Sequence, residues 1–404
     1  NIGVNQRLYL DEKNSYKYTH EKNFKVNSLV NKIDNINFNE HKENSFLDFD
    51  YEGLISKLLS QEGPAFSIAD IDNDGLDDIF IGGAKNQYSH IYKNHGNYFS
   101  IIDQKIFQNK NLYDHTASSF FDADNDGDFD LMIGVGGNEI WDSFYYYTRL
   151  YLNNGNGKFT EKKLNINTIN TNTSVIKPID YDNDGDLDVF IGSRSVAGTY
   201  GIDPKHIFLE NIGEGNFVDS TQKIIYDIYN AGMITDAKWV DINNDNYKDL
   251  ITTSDWGSVN IYKNDGYQLK NVQSNLSTFK GIWEAIESSD LDGDNDMDLI
   301  LGNQGENTLY RATKLNPMKM WINDFDNNGT IEQITTHNIN GDDYPIHMKK
   351  ELTNQIVKLK KENLKAKDYS QRKIYELFDN KVIDNSIIKE LNFTKTIIAK
   401  NNGD

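Results

Sequence analysis

Cysteine is absent from all 404 residues. Disulfides, thiolate zinc sites, a cysteine nucleophile and a lipid-anchored amino-terminal cysteine are therefore excluded for this chain. A large chain without disulfides can use another cross-link, and bound calcium is one. No apolar run approaches the roughly 18 residues of a membrane-crossing helix. Positive charge is scarce: 41 basic side chains face 62 acidic ones, for a formal charge of −21. An acidic surface repels phosphate backbones, which argues against nucleic-acid binding. The eight histidines are scattered without a zinc-type pair on a helix. Gly-x-Ser-x-Gly, phosphate-loop and dinucleotide fingerprints are missing too. Asn1 opens the chain without a charged-then-apolar leader, so targeting is not legible at its start.

What is present is enough for a core: 37% hydrophobic residues, with 23 Tyr and 20 Phe. The length suits two or three domains, or one large all-β barrel or propeller. The acidic residues are clustered. A nine-residue pattern, Asp-x-Asp-x-Asp-Gly-x-x-Asp with drift, begins at Asp70, Asp122, Asp180, Asp241, Asp290 and Asp324. These six copies hold 26 of the 62 acids within 54 residues, so the charge is local chemistry rather than a solvating coat.

The starts are separated by 52, 58, 61, 49 and 34 residues. The first four intervals suit one four-stranded propeller blade per repeat. Short runs stopped by glycine leave the loops, as in Ile79-Phe80-Ile81-Gly82, Leu131-Met132-Ile133-Gly134, Val189-Phe190-Ile191-Gly192 and Leu299-Ile300-Leu301-Gly302. Such β-branched and aromatic runs read as buried strands. A second element follows: Ile91-Tyr92-Lys93-Asn94, Leu150-Tyr151-Leu152-Asn153, Ile207-Phe208-Leu209-Glu210-Asn211 and Ile261-Tyr262-Lys263-Asn264. With the Gly and apolar residue after it, this predicts an Asn-Gly hairpin. Two hairpins per repeat make four strands.

The acidic loop has a reason to hold a cation. Positions 1, 3, 5 and 9 bring oxygen ligands to one tight turn, and Gly at position 6 permits the reversal. The expected ligands are Asp70, Asp72, Asp74 and Asp78; Asp122, Asp124, Asp126 and Asp130; Asp180, Asp182, Asp184 and Asp188; Asp241, Asn243, Asp245 and Asp249; Asp290, Asp292, Asp294 and Asp298; and Asp324, Asp326, Asn328 and Glu332. Position 7 offers a backbone carbonyl, from Leu76, Asp128, Asp186, Tyr247, Asp296 or Thr330. Oxygen-only coordination suits Ca²⁺ and matches Zn²⁺ poorly. Six Ca²⁺ ions would add twelve charges and bring −21 to −9. The plain alternative for a single copy is an Asp/Asn/Gly turn without metal. Six copies in register with strands favour the cation. The Asp241 loop, with Asn243 at position 3 and Asn246 for Gly, is expected to bind more weakly. So is the Asp324 loop, with Asn328 and Glu332.

These loops and the Phe-Ile-Gly-Gly exits resemble FG-GAP or VCBS repeats, the calcium-bearing blades of integrin-α-like propellers. The chain is especially similar to the large secreted FG-GAP proteins of Bacteroidota, related to cartilage acidic protein and the ASPIC/UnbV proteins. That similarity rests on His41-Lys42-Glu43-Asn44-Ser45-Phe46, Ser60-Gln61-Glu62-Gly63-Pro64, Gly136-Gly137-Asn138-Glu139, Gly192-Ser193-Arg194, Gly302-Asn303-Gln304-Gly305-Glu306-Asn307-Thr308 and the 323–334 segment. The resemblance implies an all-β fold, a β-propeller expected to have seven blades, over residues 23–404. It also implies that residues 1–22 end a preceding β domain or linker. The ending Ala399-Lys400-Asn401-Asn402-Gly403-Asp404 reads as half of an Asn-Gly hairpin, with a further blade expected to follow.

Residues 345–390 break the β pattern. Leu352, Ile356, Leu359, Ile374, Leu377 and Phe378 fall near helical spacing amid seven lysines. Either a helical insertion packs on the propeller with its lysines in water, or the lysines form a basic docking surface for an acidic partner. The segment Asn138, Glu139, Trp141 and Arg149, together with Arg194, is the candidate ligand surface, with Trp256 and Trp283 as possible sugar platforms. No base–acid pair recurs at an interpretable spacing, so the expectation is a non-catalytic calcium-binding module of the cell surface or extracellular space. It would bind or assemble with protein partners, for instance in an outer-membrane transporter or secretion complex. The alternatives are a glycan-binding module and a polysaccharide lyase on a calcium-bearing propeller.

Overall fold

The computed structural model describes residues 38–108, 112–139, 145–164, 166, 172–362 and 365–403. The expected ending of a preceding domain at 1–22 lies outside them.

Six acidic loops each connect two antiparallel strands in one register. The residue before position 1 pairs with position 9: Ala69 with Asp78, Phe121 with Asp130, Ile179 with Asp188, Val240 with Asp249, Ser289 with Asp298, and Asn323 with Glu332. A hairpin closed in this way fixes the register, because a slip by one residue would turn every apolar side chain to the other face.

Five of these hairpins found sheets in chain order. The first sheet is β1 (Phe66–Ala69), β2 (Asp78–Ile81), β3 (His90–Asn94) and β4 (Phe99–Ile102). The second is β5 (Asp114–Phe121), β6 (Asp130–Gly136), β7 (Arg149–Leu152) and β8 (Thr160–Lys162). The third is β9 (Asn172–Ile179), β10 (Asp188–Ser195), β11 (Ile207–Asn211) and β12 (Phe217–Asp219). The fourth is β13 (Met233–Val240), β14 (Asp249–Gly257), β15 (Asn260–Asn264) and β16 (Leu269–Val272). The fifth begins with β17 (Gly281–Ser289) and β18 (Asp298–Asn303), and β14 pairs with β17 where the two sheets meet. Strands adjacent in sequence are adjacent in the sheet, which is the meander of a propeller blade.

The sixth loop departs from the expected tandem order. It joins β19 (Met318–Asn323) to β20 (Glu332–Ile339) in a separate sheet, completed by β21 (Asp342–Pro345) and β22 (Ile387–Leu391) in the order β21-β20-β19-β22. Only afterwards does β23 (Ile397–Ala399) return to pair with β18. The whole 304–396 stretch is therefore an insertion inside the fifth blade, and β23 is that blade's delayed third strand, the first half of the Asn-Gly hairpin that the sequence suggested. This explains the short 34-residue interval. Among the described residues the acidic loops belong to five tandem repeats and one nested sheet.

Between β21 and β22 the described residues form short helices, at Lys349–Gln355, Leu359–Glu362, Ala366–Tyr369 and Asn380–Asp384, with a 3-10 turn at Ile374–Glu376. Leu352, Ile356, Leu359, Ile374 and Leu377 pack with Trp321, Phe325 and Ile334 of the nested sheet, with Phe378 at the margin. The lysines at 350, 358, 360, 361, 365 and 367 are exposed. The insertion thus supplies its own sheet with a lid of apolar side chains.

Blades are held face to face by successive cores. Phe80 and Ile91 meet Leu131 and Tyr151; Met132 and Leu150 meet Val189 and Leu209; Phe190 and Phe208 meet Ile234 and Leu250. The central strands β6, β10 and β14 are buried on both faces, which is why they read as continuous apolar runs rather than alternating ones. The glycine ending the first three runs, Gly82, Gly134 and Gly192, has a steric cause. A Cβ on Gly134 would lie 2.4 Å from the Thr173 side chain of the next blade, and one on Gly192 would lie 2.9 Å from Ile234.

A second device ties the blades. Asn153, Asn211, Asn264 and Asn401 each stand at or just past the end of the third strand of their blade. The side-chain amide of each donates to the position-2 carbonyl of the preceding blade's loop: Ile71 (2.7 Å), Ala123 (2.9 Å), Tyr181 (2.8 Å) and Ile242 (2.7 Å). Its backbone N–H donates to the position-9 carboxylate of its own loop, at 2.7, 2.8, 2.8 and 2.9 Å.

Gly134→Ala is predicted to lower stability by about 1–3 kcal/mol, because the inter-blade contact must open. Chemical denaturation checks this; an unchanged midpoint would contradict the close-approach account.

Candidate functional site: the acidic hairpin loops

Five of the loops are built the same way from the backbone outward, and in the sixth Asp290 accepts from Gly293 and Asn295 instead. The position-1 carboxylate accepts N–H bonds from the turn: Asp122 from Asp126 (3.2 Å) and Gly127 (3.0 Å), Asp180 from Asp184 (3.1 Å) and Gly185 (3.2 Å). Asp70, Asp241 and Asp324 repeat the pattern. The position-5 side chain accepts from the N–H of position 7, whose carbonyl is the expected backbone ligand: Leu76, Asp128, Asp186, Tyr247, Asp296 and Thr330. Position 9 is buried and accepts from position 2, as Asp130 does from Ala123 at 2.9 Å and Glu332 from Phe325 at 2.9 Å.

The turn requires two left-handed residues, not one. Position 4 has φ near +60° in Asn73, Asn125, Asn183, Asn244 and Asn327. Position 6 is left-handed in Gly75, Gly127, Gly185 and Gly329. The Asp290 loop exchanges the residues, with Gly293 at position 4 and Asn295 at position 6, and keeps both conformations. Asparagine tolerates this region better than other non-glycine residues. Asn246 adopts φ 73°, so its replacement of glycine does not distort the Asp241 loop. The weakness expected there rests on Asn243 alone.

Position 3 is different. One oxygen of Asp72, Asp124, Asp182, Asn243 and Asp326 is buried and has no hydrogen-bond partner. The same atom is orphaned in five loops. A buried acceptor without a partner costs about 1–3 kcal/mol. Around it, carboxylate oxygens of Asp70, Asp72 and Asp78 lie within 4.8 Å of one another, as do those of Asp122, Asp124 and Asp130, and of Asp324, Asp326 and Glu332. In the Asp180 and Asp290 loops the grouped carboxylates are positions 1, 3 and 5. Burial, aided by neighbouring carboxylates, pushes Asp130 up to about 7 and Asp188 up to about 8. The donor set is oxygen only and converging, which fits a hard divalent cation. Each group thus holds three of the four expected side-chain positions, and among the described residues no such group forms in the Asp241 loop.

Of the candidate ligand surface, Asn138 and Arg149 are buried, and Glu139 and Arg194 are partly buried. Asn138 is 1% exposed; its amide donates to Asp48 and Glu52 (both 2.8 Å), and its oxygen accepts from Gly198 (2.6 Å). Glu139 accepts from Asn44 at 3.1 Å. Arg149 is 3% exposed, with its guanidinium 3.9 Å from the Tyr113 ring centroid. Arg194 pairs with Glu62 at 3.0 Å and approaches Glu284 at 3.6 Å. Trp256 and Trp283 are core residues. Trp141 lies outside the described residues. For Asn138, Glu139 and Arg194 the cause is the 44–64 segment, which brings Asp48 and Glu52, Asn44, and Glu62 to them. Sequence reasoning missed this segment's role and the asparagine staples. The recurrence of Asn after every third strand was the available signal for the staples.

Beside that segment, both oxygens of Asp114 are buried without a partner. Burial, with the charges of Glu43, Glu139 and Glu62, raises its pKa from 3.8 to about 8. A carboxyl raised by folding removes stability as pH rises from its unfolded toward its folded value. Asp114→Asn is therefore predicted to melt above the parent at pH 8, with the difference vanishing below about pH 4. Melting curves across pH check this, and a variant that melts lower throughout would contradict it.

Three segments, residues 70–133, 140–191 and 241–301, match the model of the FG-GAP-like repeat. No curated protein matches the chain. It is similar to a solved lectin from Agrocybe aegerita described as specifically recognising non-reducing terminal N-acetylglucosamine. That likeness has 19% identity and a TM-score of 0.40, and covers 61% of each chain. This chain thus spans less than two thirds of that lectin's length. The chain carries FG-GAP-like repeats on a mostly β, propeller-type fold.

Proposed function

We propose that the chain is a calcium-stabilised, non-catalytic binding module that works outside the cytoplasm. The observation that carries this reading is the buried position-3 oxygen left without a partner in five loops. Calcium would neutralise the converging carboxylates and tie positions 1, 3, 5 and 9 of each turn together. Unpaired acids about 4 Å apart repel by roughly 4 kcal/mol at an intermediate dielectric, so the loops gain rigidity when that repulsion is removed. The Asp241 and Asp324 loops, with Asn243 and Asn328 replacing carboxylates, are the weaker sites. Extracellular calcium modules work at about 10⁻⁴–10⁻³ M, which fits loops of this openness and not cytosolic calcium levels.

Pinned loops would give the blades a fixed surface for a protein partner at the cell surface, such as an outer-membrane complex. The motifs shared with the secreted Bacteroidota FG-GAP proteins support that placement. The non-catalytic half of the reading is supported by Arg149 and Arg194. These are the cations a uronate lyase would need, and both are engaged in internal contacts.

The test is thermal melting in millimolar calcium and in chelator. Calcium is predicted to raise the midpoint by on the order of several degrees. Asp124→Ala with Asp126→Ala should lower it only when calcium is present. Equal melting with and without chelator would overturn the calcium reading. Ultraviolet-absorbing unsaturated products from a uronate polysaccharide would overturn the non-catalytic one.

A further inference from the structure

The five blades place one variable side chain beside each acidic loop. The residue immediately before the stapling asparagine is Lys93 in the first blade, Leu152 in the second, Glu210 in the third, Lys263 in the fourth and Lys400 in the fifth. The position is equivalent in all five. The next residue, Asn94, Asn153, Asn211, Asn264 or Asn401, donates its backbone N–H to the position-9 carboxylate of the same blade's loop.

Two of these side chains enter their loops. The Lys93 ammonium pairs with Asp72 and lies 3.2 Å from Asp74; the Lys400 ammonium pairs with Asp292 and lies 3.4 Å from Asp294. In both blades the partners are positions 3 and 5, two of the groups a cation would need. Leu152 brings no charge. Glu210 is turned to Lys223 at 2.9 Å, outside its loop. Lys263 makes no ion pair with the Asp241 loop among the described residues.

We propose that this residue sets how tightly each loop holds its divalent cation, with Lys93 and Lys400 acting as tethered competitors at the Asp70 and Asp290 loops. The inference rests on the calcium reading above and deepens it. An ammonium is a compact single charge on a flexible stem, so it neutralises part of an empty loop and can swing out when a stronger cation arrives. A divalent ion within a few ångströms of it meets like-charge repulsion, which weakens binding by about tenfold or more even at water-like screening. The carboxylate count alone ranks the Asp70, Asp122, Asp180 and Asp290 loops together. The lysines divide them: the loops at Asp122 and Asp180 fill first, and those at Asp70 and Asp290 fill at higher calcium. The first and fifth blades therefore stiffen after the second and third.

The test is calorimetric titration of the chelator-stripped full chain with calcium alone. The parent should show a tight and a weaker class of sites. Lys93→Met and Lys400→Met should each move one site into the tight class, about tenfold or more in affinity. Lys263→Met should leave the titration unchanged. Leu152→Lys makes the reciprocal change and should move one site into the weaker class. Calcium binding with unchanged or weakened sites in Lys93→Met and Lys400→Met would overturn this inference alone, since the ammonium would then be a brace. No calcium binding by the parent would overturn the proposed function and this inference with it.

Discussion

The constraint on which the rest depends is the crowding of carboxylates into a nine-residue turn that closes a hairpin. Position 9 must be buried, because it accepts the N–H of position 2 and, in the blades, that of the third-strand asparagine. Position 1 must fold over the turn, because it accepts two further N–H groups. These bonds leave position 3 pointing into the loop with one oxygen unanswered. Closing the hairpin thus gathers a set of oxygen ligands as a by-product, and a cation would complete what the chain cannot satisfy by itself.

The loops also lie in the path that joins one blade to the next. The asparagine that braces position 9 reaches with its amide to the loop of the preceding blade. Position 4 adds a second link, as Asn73 donates to Asp128 (3.0 Å) and Asn125 to the Gly185 carbonyl (3.2 Å). Order gained in one turn is passed to its neighbour by short, specific bonds. A module of this kind would present a surface whose stiffness follows calcium, while the apolar cores between blades supply the bulk of the stability.

Much of this was legible in the sequence because the loops repeat. The Asp-x-Asp-x-Asp-Gly-x-x-Asp spacing located all six hairpins, and Leu131-Met132-Ile133 or Val189-Phe190-Ile191 marked strands buried on both faces. What stayed hidden depends on chain segments meeting from afar. Nothing local in Ile397-Ile398-Ala399 says that it pairs with Leu299-Ile300-Leu301, a hundred residues earlier. The nested sheet therefore read as another repeat in line. Arg149 and Asn138 looked available because their partners, Tyr113 and the 48–52 segment, are remote in sequence or unlike any motif. Position 4 was overlooked since asparagine, unlike glycine, does not announce a left-handed backbone.

Native mass spectrometry of the intact chain, exchanged into millimolar calcium and then into chelator, tests the central claim most directly. The account predicts discrete calcium adducts, at most one for each acidic loop, that are lost on chelation and reduced by one when Asp182 is replaced by Ala. A single metal-free mass in both conditions would contradict it and return the acidic loops to ordinary turns.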